Sequence, residues 1–184
     1  MPRTALRCLA VFLGLPLVAM ATMVVPRSLA ELTARADVIV AGRVVEKTAA
    51  KYVMHISELL KGSLDPAQPF RFEQAGGVPV PGSRSAGAAI LEVGEEYLLF
   101  LKRSPAGQWV TVGMEQGRFR VVLGPDGKRT VVNGFRNQGL FPTGPAGKGG
   151  APKGLTKSEQ AVAAQPAGPL PYDELLSIVR KLRQ

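Results

Sequence analysis

The chain has 184 residues, with 23 basic and 14 acidic side chains, a formal charge of +9 and one cysteine, Cys8. A single thiol makes no internal disulfide and no cysteine-rich metal site, so a fold of this length must rest on a hydrophobic core, enough for one domain with an appendage. Residues 22–117 carry ten basic and ten acidic side chains, and residues 118–184 carry eleven and four. Apart from Arg3 and Arg7, the whole excess therefore lies in the second half, where it favours acidic partners through a field that salt would screen.

Residues 1–21 read as an export signal: Arg3 and Arg7 precede an apolar run from Cys8 to Ala21, and Ala19-Met20-Ala21 offers small residues for cleavage before Thr22. The alternative is an uncleaved anchor, since the apolar character continues through Met23-Val24-Val25. The expected location is periplasmic or extracellular. After the signal, Ser28-Leu29-Ala30-Glu31 has the form of a capping box opening a short helix through about Ala34, with Leu29 and Leu32 facing inward.

At Asp37 the period becomes alternating. Val38, Val40 and Val44 share one face and Ile39, Ala41, Arg43, Val45 and Lys47 the other, and the second face turns charged after Gly42. That pattern predicts a strand bent or bulged at the glycine. Residues 52–60 form a second strand, joined to the first by a short antiparallel hairpin. Further strands are expected at 70–73, 96–102, 108–112, 118–122 and 128–132, the last two flanking the Gly124-Pro125-Asp126-Gly127 turn. Residues 74–88, rich in glycine and proline, read as a loop.

In residues 142–169, 17 of 28 positions are glycine, proline or alanine and none is aromatic. Such a stretch buries little apolar surface, which predicts a disordered linker. Tyr172, Leu175, Leu176, Val179 and Leu182 then recur at helical spacing, so residues 170–184 read as an amphipathic helix. Its apolar face would dock on the sheet; lying on a membrane is the sharper alternative. The fold class expected is mainly β: a small antiparallel OB-like barrel over 22–141, with a short N-terminal helix and the C-terminal one.

Chemistry finds few footholds. His55 is the only histidine, no spacing builds a zinc site around it, and no G-x-S-x-G presents a nucleophile. Glu92, Glu95 and Glu96 crowd a turn, where acidic residues serve solubility and block edge pairing. Lys148 is followed by Gly149, so the glycine-rich 144–150 stretch is no phosphate loop. We therefore expect no catalytic, cofactor or metal residues and no nucleic-acid partner. The candidates for partner binding are Arg118, Arg120, Lys128, Arg129, Arg180, Lys181 and Arg183, facing an unknown protein or an acidic surface polymer, with weak contact to a membrane surface as a further reading.

The run "LAELTARADVIVAGRVVEKTAAKYVMHISELLKG" (29–62), with "VGEEYLLFL" (93–101) and "GRFRVV" (117–122) following in order, resembles the netrin-like module of tissue inhibitors of metalloproteinases and uncharacterised exported bacterial proteins. The resemblance implies an oligonucleotide/oligosaccharide-binding-type barrel and, as an alternative function, an inhibitor or accessory partner of a secreted protease. Those inhibitors chelate the protease zinc through an N-terminal cysteine. This chain has none after the signal, so that mechanism does not carry over. The helix usually expected after the third barrel strand is also missing from the sequence pattern.

Overall fold

The computed structural model describes residues 26–49, 51–73, 90–142 and 152–183. The expected signal, the 74–88 loop and residues 143–151 of the expected linker lie outside the described residues. Helix α1 spans Leu29–Arg35 and carries the full capping box: Ser28 Oγ accepts from the Glu31 amide at 3.2 Å, and Glu31 Oε2 accepts from the Ser28 amide at 3.0 Å. At its other end Lys61 Nζ donates to the carbonyls of Thr33 (2.9 Å) and Ala34 (3.3 Å), where orphan carbonyls and the helix dipole favour a cation.

Strands β1 (Val38–Thr48) and β2 (Lys51–Lys61) form the expected hairpin, and the register slips at three places, one of them between Ala41 and Gly42. Strand β3 (Phe70–Glu73) pairs with the first residues of β2, and β4 (Glu96–Arg103) takes the other edge of β1. The far edge of β4 is divided: Glu96–Leu99 pair with β6 (Arg118–Leu123), and Leu101–Arg103 with β5 (Trp109–Thr111). A single turn of 3₁₀ helix, Met114–Gly117, carries the chain from β5 to β6. Strand β7 (Arg129–Asn133) follows the Pro-Asp-Gly turn, in which Gly127 takes φ 74° and Asp126 Oδ1 accepts from the Lys128 amide at 3.1 Å. A two-residue β8 (Leu170–Pro171) closes the order β3-β2-β1-β4-β6-β7-β8, every pair antiparallel.

Successive strand residues point to opposite faces, so the central β1 and β4 bury both. Ile39, Ala41, Leu98, Phe100 and Phe119 belong to a core that also takes in α1 and helix α3 (Tyr172–Leu182), whose Leu175, Leu176, Ile178 and Val179 are all buried. Each such side chain contributes about 1.5–3 kcal/mol of transfer free energy. The C-terminal helix is thus part of the core, as its stripe of apolar residues requires. Val38, Val40, Val44, Leu99 and Leu101 face a second core with Tyr52, Met54, Phe70, Phe72 and Trp109.

Aromatic rings cross that second core from β2 to β5. Tyr52 stacks on Phe72 at 5.5 Å, Phe72 on Phe70 at 4.7 Å, and Phe70 meets Trp109 edge-on at 5.8 Å. The sheet therefore curls until β3 and β5 touch through side chains, and Gln108 Nε2 donates to Glu73 Oε1 at 3.0 Å across the same gap. No ladder joins β3 to β5 among the described residues, so the sheet is curled and antiparallel but not closed.

The expected linker needs correction from residue 152 onward. Lys157–Ala163 forms helix α2, started by a second capping box between Thr156 and Glu159, and Leu155 and Val162 pack against the first core. Leu170–Pro171, read as the start of the final helix, is instead the edge strand β8 beside Thr130 and Val131. Proline supplies the reason, because without an amide hydrogen it suits a sheet edge and fixes the chain just before the helix begins.

Candidate functional site

Six of the seven basic residues singled out from the sequence are held in ion pairs within the chain. Arg118 pairs with Glu115, Arg120 grips Glu95 with two hydrogen bonds of 2.7 and 2.8 Å, and Lys128 lies 3.5 Å from Asp126. Arg129 lies 3.0 Å from Asp173 and 3.7 Å from Glu96, with its guanidinium 4.1 Å from the centre of the Tyr172 ring. Arg180 pairs with Glu58, and Lys181 with Glu159. Only Arg183 has no ion pair among the described residues. The forked contact with Arg120 holds the Glu95 carboxyl below its ordinary range and raises the guanidinium correspondingly. The basic side chains singled out in the second half are thus mostly fasteners within the fold.

One fastener is buried. Glu159 is 3% exposed and accepts from Ser177 Oγ and from the Thr156 amide, both at 2.6 Å, beside the Lys181 ammonium, so one carboxylate both caps α2 and ties it to α3. The Lys181 hydrogen bond, then those from Ser177 and Thr156, lower its pKa to about 2. At the other end of α3, burial raises the Tyr172 phenol to about 12. Folding thus favours the ionised Glu159 and the neutral Tyr172. The Glu159 contribution is complete above about pH 4.5 and disappears as pH falls through 2; that of Tyr172 is complete below pH 10 and disappears as pH rises towards 12. Circular dichroism of the wild type and of Glu159→Gln should show the acid limb of unfolding displaced to higher pH in the variant and, because the Glu159 contribution is missing at high pH too, the alkaline limb displaced to lower pH.

Unpaired charge collects instead at the corner where β1, β2 and β3 meet. The register sets Glu46 beside Val53 and Val53 beside Arg71, and in the next row Thr48 beside Lys51 and Lys51 beside Glu73. These residues, with Tyr52 and Phe72 of the second core, line an open hollow of about 490 Å³. Among the described residues none of Glu46, Lys51, Arg71 and Glu73 is in an ion pair, and Glu73 has only the Gln108 amide as a side-chain partner. Nothing in the sequence marked this corner, because charges alternating along single strands reveal a shared surface only once the register is known. His55, exposed on β2, borders a smaller hollow with Pro66, Ala67, Gln68 and Pro69.

Comparison with protein-family models, with curated proteins and with solved structures finds no match for this chain. Among the described residues no three histidine, cysteine or carboxylate side chains come close enough to hold a metal ion, and no helix is long and apolar enough to cross a membrane.

The carboxamides of the 133–139 turn also escaped the sequence reading. Asn133, Asn137 and Gln116 are buried, and Asn137 ties the Asn133 amide to the carbonyls of Val131 and Gly168. Their part is structural: they hold β7 against the segment leading into β8. The signal available was Asn137 itself, close before Gly139, since asparagine tolerates the left-handed conformation that it adopts here at φ 62°.

Proposed function

We propose that this chain is an exported, non-enzymatic β domain of barrel type that binds a protein partner at the β1–β2–β3 corner. The observation that carries this reading is the contrast in charge pairing. Six of the seven basic residues singled out in the second half are matched to carboxylates, whereas among the described residues Glu46, Lys51, Arg71 and Glu73 stand without an ion pair around one hollow that Val53 also lines. An apolar centre with a charged, unneutralised rim is the composition of a partner-binding surface. The barrel assignment draws on the curl of the sheet and on the aromatic row bridging β3 to β5.

A pull-down with tagged chain from its native envelope fraction tests this. Lys51→Glu with Arg71→Glu is expected to abolish retention of the partner, while Lys128→Glu with Arg183→Glu leaves it unchanged. The reverse pattern would return the binding role to the basic second half and favour an acidic polymer or membrane surface.

A further inference from the structure

We infer that the unclosed gap between β3 and β5 accepts an extended peptide strand, which pairs with β3 through its main chain. This rests on the reading of the chain as a protein-binding domain and names the form that its partner takes. Strand β3 has β2 on one edge and β5 has β4 on one edge; among the described residues their facing edges share no main-chain hydrogen bond. An exposed row of amides and carbonyls is a template for another strand, and native proteins usually cover it, twist it away or close it into a barrel. Among the described residues only side chains span the opening: the Phe70–Trp109 edge contact at 5.8 Å inside, and the Gln108–Glu73 hydrogen bond of 3.0 Å at the rim.

The two sides of the gap specify the strand. Alternate residues of an incoming chain would meet Phe70, Phe72 and Trp109, which favours apolar side chains on that face. The residues between them would lie beside Arg71 of β3 and Val110 of β5, with Lys102 of β4 one strand further out; Arg71 and Lys102 are exposed and neither is paired with a carboxylate among the described residues. Lys102 stands opposite Val110 of β5, which sets it on the same outer face as Arg71. The occupant is therefore a peptide that alternates apolar and acidic residues. Glu73 keeps its partner Gln108 only until the strand arrives, so the Gln108–Glu73 contact acts as a latch.

The test uses a short peptide alternating valine and glutamate, titrated by fluorescence of Trp109, the only tryptophan in the chain. The full chain carries Cys8→Ser, and in a second form also Glu73→Cys and Gln108→Cys joined by a short bismaleimide. Saturable binding is expected to the open form and to the unlinked double-cysteine form, with loss of binding in the linked form. Arg71→Glu with Lys102→Glu should weaken binding by roughly tenfold or more, and a valine–lysine peptide should bind worse than the acidic one by a similar factor. Absence of binding to the open form, equal binding after linking, or equal affinity for the lysine peptide would overturn the inference. If the linked form still retains an envelope partner, the binding function stands and the strand-accepting gap does not.

Discussion

Gly42→Ala is expected to destabilise the fold by about 3 kcal/mol or more, read as a lower urea midpoint at unchanged slope. Glycine within a strand ordinarily costs about 0.5–1 kcal/mol relative to alanine, so the usual expectation is a gain. Geometry reverses the sign. A Cβ at this position would lie 2.2 Å from the carbonyl oxygen of His55, 3.0 Å from its carbonyl carbon and 3.0 Å from Met54 Cγ. The closest obstacle is main chain, which cannot swing aside as a side chain can, so β1 and β2 would have to part around the Gly42–Ile56 and Arg43–His55 pairs. Because β1 contributes to both cores, the strain would reach both. Gly127→Ala is the control: its φ is 74°, but nothing lies within 4 Å of the added carbon, so only the left-handed penalty of about 1–2 kcal/mol remains.

Gly42 also shows how much of the fold is legible in the sequence. The change from apolar to charged residues across it pointed to a bend or bulge, and the pairing register shifts between Ala41 and Gly42 as a bulge would make it. The seven expected strands, the helix at Ser28 and the helix at Tyr172 are all present within a residue or two, because each carries its own local pattern of period, cap or turn. Closure of the sheet has no such pattern, since it depends on how far β3 and β5 approach after all the other strands have paired.

Helix α2 escaped for a different reason. Thr156-Lys157-Ser158-Glu159 is the same capping signature that identified α1 at Ser28, but it stands in a stretch whose average composition argues for disorder. Average composition omits the one feature that decides the matter: Glu159 has Ser177 and Lys181 waiting on α3. Tertiary partners likewise reassigned the basic second half. Sequence shows the excess of cations, but the carboxylates that neutralise Arg120, Arg129 and Arg180 come from Glu95, Glu96 and Glu58, far away along the chain.

Asn137→Ala should cost about 3–5 kcal/mol, although no apolar contact of the core is removed. Asn137 Oδ1 accepts from the Asn133 amide at 2.9 Å, while Nδ2 donates to the Val131 carbonyl at 2.8 Å and the Gly168 carbonyl at 2.9 Å. Truncation leaves three groups without their partner, two in a buried setting and the Gly168 carbonyl in a half-buried one, and alanine must also adopt the φ of 62° that asparagine tolerates better. Because one of the three bonds reaches across to Gly168, the loss should be local before it is global. Hydrogen exchange is expected to rise first from residue 155 to 171, which includes α2 and β8, while β1 and β4 stay protected.

Asn137→Asp sharpens the argument by keeping the acceptor and losing both donors. A carboxylate there would face the Val131 and Gly168 carbonyls, so its pKa in the folded state would rise above that in the unfolded chain. Stability should then increase as pH falls through that raised value, because the protonated acid can donate to one of the two carbonyls. Wild-type protein should show no such gain over the same range. An aspartate variant whose stability is flat there would mean that Asn137 is held by its backbone conformation alone and that its side-chain bonds contribute little.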